Sequence, residues 1–137
     1  MKYISFLIGF FSLFLFIQES LATHNRAGEI TFRQINNLSI EVTITTYTKA
    51  SSTDADRDSL ELFWGDNTSE YINRDNSKTK FAANDVKINY YIAQHTYPGP
   101  ATYTMFFTDP NRVSTILNIN YPNSVDIPFF SVLPLHY

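Results

Sequence analysis

Leu60-Glu61-Leu62-Phe63-Trp64-Gly65-Asp66-Asn67 alternates in the first five positions and then runs into a Gly-Asp-Asn turn. Leu60, Leu62 and Trp64 fall on one side of an extended chain and Glu61 and Phe63 on the other, the period-two pattern of a half-buried strand. About thirty residues on, His95-Thr96-Tyr97-Pro98-Gly99-Pro100-Ala101-Thr102-Tyr103 sets a Pro/Gly corner before a second aromatic strand. That strand, Thr102 to Thr108, places Tyr103, Met105 and Phe107 on one face and stops at Asp109-Pro110-Asn111. Ser69 to Asn73 returns from the Gly-Asp-Asn turn, which makes a hairpin the economical reading.

The same period extends outward from these segments. Ile30, Phe32 and Gln34 share one face of a first strand, and Asn36-Asn37 supplies residues that tolerate a left-handed turn. In Ser39 to Lys49, Ile40, Val42 and Ile44 oppose Glu41, Thr43 and Thr45, and the alternation slips at Thr45-Thr46-Tyr47, which predicts a bulge or a strand passing between sheets. Ser51 to Ser59 is a polar loop, and Arg74 to Asp85 loses all pattern and reads as a long surface loop. Val86 to Gln94 is again strand-like. Ile116 to Tyr121 and Val125 to Phe130 are shorter apolar stretches parted by Pro122-Asn123-Ser124. No convincing helical stretch follows residue 22, so the expected class is an all-β antiparallel sandwich of about seven short strands.

The first 22 residues differ from the rest. Lys2 precedes an apolar run from Ile4 to Ile17, and Ser20-Leu21-Ala22 offers small residues at a cleavage site, the pattern of a secretory signal peptide. The run is shorter than the roughly 20 residues of a membrane span. The expectation is therefore a cleaved signal helix at 1–22, one domain at 23–137, and an exported, secreted or cell-surface product with no later span. The chain has no cysteine, so packing must stabilise it, and 12 Phe, 9 Tyr and one Trp suit that task. Five of the Phe (Phe6, Phe10, Phe11, Phe14 and Phe16) belong to the leader, leaving a Tyr-rich remainder. A net charge of -3 without a basic face argues against nucleic acid as a partner.

The paired segments resemble the signature of PKD domains, immunoglobulin-like sandwiches of extracellular proteins in which an aromatic strand ends in Gly-Asp-Gly and a later strand starts near Tyr-x-x-x-Gly-x-Tyr. The likeness covers residues 29–109, with Leu62, Trp64, Gly65, Asp66 and Asn67 over the Trp-x-Phe-Gly-Asp-Gly positions and Tyr97, Gly99 and Tyr103 over the later ones. Leu62 stands where that family has Trp, and Asn67 replaces its second Gly; Asn accepts positive φ, so the turn is expected to survive. A second likeness runs through 23–30, 45–49, 56–60, 95–100, Asp109-Pro110-Asn111-Arg112 and Asn123-Ser124-Val125. These stretches are similar to the first domain of large Bacteroidetes surface proteins that end in a gliding-motility-associated, type IX secretion carboxyl domain. The likeness implies further domains after residue 137 and a truncated reading frame or fragment here.

Candidate chemistry is sparse. Asp54, Asp56 and Asp58 alternate in a flexible loop and offer the oxygen ligands calcium takes, but Ser59 occupies the turn-glycine position of an EF-hand loop and Gly65 its bidentate Glu. Asp66 or Asp109 would be the ligand completing an irregular site, but Arg57 in the middle of the run counts against calcium, so a solvated acidic loop is the expectation and calcium the alternative. His24, His95 and His136 lack zinc spacing; His95 is expected to cap or pack at the corner, and Tyr97 to make a tyrosine-corner hydrogen bond. No serine or carboxylate falls in a recognisable catalytic setting, so the chain is expected not to be an enzyme and to need no cofactor. Asn37-Leu38-Ser39 and Asn67-Thr68-Ser69 match the N-glycosylation pattern, and the Bacteroidetes likeness implies O-glycosylation at Ser59 of Asp58-Ser59-Leu60. Adjacent Tyr90 and Tyr91 must point to opposite faces; packing is the expected role of an aromatic in a strand, with an outward, ligand-binding one as the alternative. The expected function is a structural spacer or adhesion module of a larger surface protein, with a protein or glycan ligand. The alternative is a carbohydrate- or protein-binding accessory module of a secreted hydrolase.

Overall fold

The computed structural model describes residues 24–114 and 116–137, and of Asp54 its backbone only. The leader therefore lies outside the described residues. Eight strands form two antiparallel four-stranded sheets: β1 Asn25–Gln34, β2 Ser39–Lys49, β3 Ser59–Phe63, β4 Ser69–Asn73, β5 Lys80–Ala82, β6 Val86–Thr96, β7 Thr102–Asp109 and β8 Phe129–His136. The order is β1-β2-β6-β5 in one sheet and β4-β3-β7-β8 in the other. The expected all-β sandwich is thus what the chain forms, with one strand more than seven.

Alternation builds the core. Ile40, Val42 and Ile44 of β2 face Leu60 and Leu62 of β3 and Met105 and Phe107 of β7 in one cluster, completed by Trp64, Ile72, Tyr91, Tyr97, Tyr103, Phe129 and Leu135. Burying a side chain of this size stabilises by about 1.5–3 kcal/mol, so a core without disulfides suffices.

Two expectations need correction. β2 has no bulge at Thr45-Thr46-Tyr47: it pairs with β6 in one unbroken register from Ser39↔Thr96 to Lys49↔Val86. What changes at Thr46 is chemistry, because Thr46 and Thr48 continue the inward face and are buried, so polar residues there only imitate a slip in phase. The stretch 74–85 is not all loop. β5 pairs with the start of β6 through Lys80↔Ile88 to Ala82↔Val86, and all three of its side chains are exposed, so hydrogen bonding forms it without an apolar pattern. The apolar stretches at 116–121 and 125–130 lead into the last strand, whose first residues are Phe129 and Phe130. The chain turns ahead of it, with a 3-10 turn at Ser124–Asp126, and the last strand is β8, paired along all of β7 from Thr102↔His136 to Asp109↔Phe129.

Candidate functional site

The two signature segments meet at one end of the sandwich. Gly65 (φ 88°) and Asn67 (φ 69°) both take the left-handed turn, as expected for Asn67. Gly65 is required sterically as well, since a Cβ there would lie 2.6 Å from the backbone N and O of Thr104. Trp64 is buried, stacks on the His95 ring at 4.5 Å and 10°, and offers its carbonyl to the Tyr97 hydroxyl at 3.0 Å. His95 packs edge-on against Tyr97 and holds Asp66 at 2.8 Å. Burial works to raise the Asp66 pKa, and hydrogen bonds from Thr68 and His95 outweigh it and bring the carboxyl below its usual range. The tyrosine corner belongs to Tyr103, not Tyr97: its hydroxyl reaches back four residues to the Gly99 carbonyl at 2.8 Å while its ring stacks on Tyr97 at 4.0 Å. A Cβ on Gly99 would touch nothing within 4 Å, so that glycine contributes its carbonyl and not its lack of a side chain.

The opposite end is polar. His24, Asn25, Thr46, Thr48, Asn89, Asp109, Arg112 and Ser124 are all buried. Asn89 donates to both threonine hydroxyls, at 3.3 and 3.0 Å. Arg112 donates to the carbonyls of Ile127 and Pro128, each at 2.9 Å, and lies 5.2 Å over the Phe129 ring. Ser124 ties the 116–128 excursion down by donating to the Val113 carbonyl.

Two of the three candidate calcium ligands can be placed here. Asp56 receives Lys87 Nζ at 2.6 Å and Arg74 Nη1 at 2.7 Å, with His24 Nε2 at 3.6 Å. Asp58, its side chain 89 % exposed, receives Arg74 Nη2 at 2.6 Å, and the Arg74 side chain is only 7 % exposed. The side chain of Asp54 lies outside the described residues. Asp109, the suggested completing ligand, faces Arg57 Nε at 3.6 Å. Burial acts to raise the Asp56 pKa, but Lys87 and Arg74 prevail and hold it below the usual range. Among the described residues no three His, Cys, Asp or Glu stand together as metal ligands. The carboxylates neutralise cations, and the space enclosed by His24, Asn25, Thr46, Thr48, Tyr91 and Asp109 is smaller than a water molecule. Tyr91 is buried, donates to the Arg57 carbonyl at 2.7 Å, and burial pushes its hydroxyl up to about 12. The contacts at this end lock loops together.

Open space lies on the outer face of the second sheet. Phe63 of β3 stacks on Phe106 of β7, its register partner, at 4.6 Å and 5°, and Phe106 meets Phe130 of β8 at 5.7 Å. Tyr71 (68 % exposed), Phe130 (53 %) and Val132 (49 %) extend the row. Two open clefts flank Phe63. One, of about 360 Å³, is lined by Phe63, Gly65, Asn67, Thr68, Ser69 and Phe106. The other, of about 170 Å³, runs past Ser59, Glu61 and Tyr71 to Pro110. Ser59 is half-buried, and Asn37 and Asn67 are exposed. Of Tyr90 and Tyr91, packing was the expected role and an outward aromatic the alternative. Tyr91 is core and Tyr90 half-buried, whereas the outward row sits on β3, β7 and β8. Its signal was legible: Phe63 and Phe106 occupy the phase opposite Leu62, Met105 and Phe107.

No family model, curated protein or solved structure matches the chain.

Proposed function

We propose that the chain is a non-catalytic, exported β-sandwich of PKD-like type that serves as a spacer or adhesion module, with the outer face of the β4-β3-β7-β8 sheet as its contact surface. The observation that carries this reading is the outer-face row Phe63–Phe106–Phe130, in which Phe63 and Phe106 are half-buried and Phe130 is exposed, flanked by exposed Tyr71 and Val132. An apolar row on a sheet whose other face already supplies the core contributes only cross-strand pairing to folding and is the kind of surface that partners cover. Aromatic residues are also the side chains that dominate binding energy at interfaces. The reading is also supported by the pairing of Asp66 with His95 at one end and of Asp56 with Lys87 and Arg74 at the other, which gives these carboxylates structural partners.

The test is binding of the chain to immobilised surface polysaccharides and surface proteins of the producing cells, compared with a Phe106→Ser, Phe130→Ser double variant. Affinity should fall by about tenfold or more, as for interface anchors, with little change in melting temperature. Equal binding by both proteins would remove the aromatic face from the reading. Turnover of ester, peptide or glycoside substrates would overturn the non-catalytic assignment.

A further inference from the structure

The four sheet edges are unequally guarded. β5 has three residues, β4 has five and leads into the first sheet at the Arg74↔Tyr91 bridge, and β8 contains Pro134, which has no N–H to offer. β1 has ten residues and neither proline nor lysine. Its outer side is joined at its start, where Asn25 bridges Arg112, and from Gly28 to Gln34 the described residues pair with it on the β2 side alone.

We infer that this open edge pairs with β1 of a second copy, antiparallel about a two-fold axis through Thr31 and normal to the sheet. The order Glu29-Ile30-Thr31-Phe32-Arg33 is self-complementary in that register. Each Glu29 stands opposite Arg33 of the second copy, each Ile30 opposite Phe32, and Thr31 opposite itself. Opposite charges, an aromatic against a β-branched residue, and Thr on Thr are all favoured cross-strand pairs. Moving the axis one residue either way sets both Glu29 and Arg33 against uncharged residues, so the charges fix the register.

Exposure agrees with this arrangement. Glu29 and Thr31 are exposed, and the Arg33 side chain is 67 % exposed although it holds Glu41 at 2.7 Å. Among the described residues Glu29 has no ion-pair partner; a guanidinium has donors enough for Glu41 and a second carboxylate. Phe32 shares the inward face with Ile30 yet is 41 % exposed, and the second copy would cover it. The product is one continuous eight-stranded sheet, β5-β6-β2-β1 joined to its symmetry mate. About seven residues a side is fewer than the roughly 20–30 of a standard interface, so the pair forms at high local concentration, as on a crowded surface.

Self-pairing uses the first sheet and the proposed contact face uses the second, so either can fail alone. Because the chain lacks cysteine, a Thr31→Cys variant carries a single thiol. Mild oxidation should convert it to a covalent dimer. In the Glu29→Cys variant the two thiols would lie four positions apart, about 13 Å along the strands, and should stay unlinked because that exceeds disulfide reach. In sedimentation equilibrium, Glu29→Arg and Arg33→Glu should each weaken self-association by about tenfold or more through like-charge contact, and an equal mixture of the two should restore it. A mass independent of concentration up to millimolar chain, equal cross-linking of both thiol variants, or no restoration on mixing would overturn the proposal. Should Arg33→Glu unfold beside Glu41, the two cysteine variants, both at exposed positions, decide alone.

Discussion

Gly65 and Gly99 belong to the same pair of signature segments, and the sequence treats them alike. The structure separates them. Gly65 has φ 88° and meets the Thr104 backbone where a Cβ would stand, while Gly99 borders open space. Gly65→Ala should therefore cost at least about 1–3 kcal/mol from backbone strain alone, before β7 is pushed away. Gly99→Ala should stay within about 0.5 kcal/mol of the parent. Denaturant unfolding of the two variants checks this, and equal losses would sink the argument. The distinction was not legible because it depends on Thr104, a residue some forty positions away in the chain. The same holds for the two tyrosines: only the fold tells that Tyr103 reaches back to Gly99 and Tyr97 across to Trp64.

Elements were legible where apolar residues alternate and illegible where polar groups face inward or hydrogen bonds alone hold a strand. β3 and β7, and β2 as far as Ile44, could be read residue by residue, down to Ile40, Leu62 and Met105. Thr46 and Thr48 broke the hydrophobic pattern while keeping the inward phase, because Asn89 satisfies their hydroxyls across the sheet. β5 carries no apolar signal at all. The acidic loop Ser51 to Ser59 was visible as composition, but its fate depended on Arg74, which the end of β4 brings beneath it. There the guanidinium, itself nearly buried, clamps Asp56 and Asp58, and the Arg74 backbone N–H donates to the Asp58 carbonyl at 2.7 Å. Removing one partner of a buried pair costs about 3–5 kcal/mol, and partial exposure of Asp56 reduces this, so Arg74→Ala should destabilise by about 2–3 kcal/mol. Since these carboxylate oxygens already face cations, a calcium chelator should leave the melting temperature of the parent unchanged. A fall on chelation, reversed by calcium, would return the loop to the cation-site reading.

At the scale of the molecule the sandwich has two unlike ends, aromatic around Trp64 and Tyr97 and polar around His24, and they should answer pH differently. His24 is buried with both ring nitrogens lacking a hydrogen-bond partner. Burial is the largest influence and lowers its pKa from 6.5; Asp56 and Asp109 pull upward, and Lys87 and Arg57 push downward. The folded protein thus refuses a proton that the unfolded chain accepts. Stability should fall as pH drops through about 6.5, with a slope of at most about 1.4 kcal/mol per pH unit for this one proton. Asp56 and Asp66 act at lower pH. Their carboxyls are held below 3.8, so their contribution is complete above that value and is lost as pH falls through the depressed folded values. Two separate declines are expected on acidification, the first from His24 and the second from these aspartates. His24→Gln keeps a polar side chain at the site but cannot titrate, so it should flatten the first decline and leave the second. Denaturant midpoints of parent and variant between about pH 8 and pH 3 measure both. If the two proteins lose stability in parallel between about pH 7 and pH 5, the buried His24 is not the group that refuses the proton.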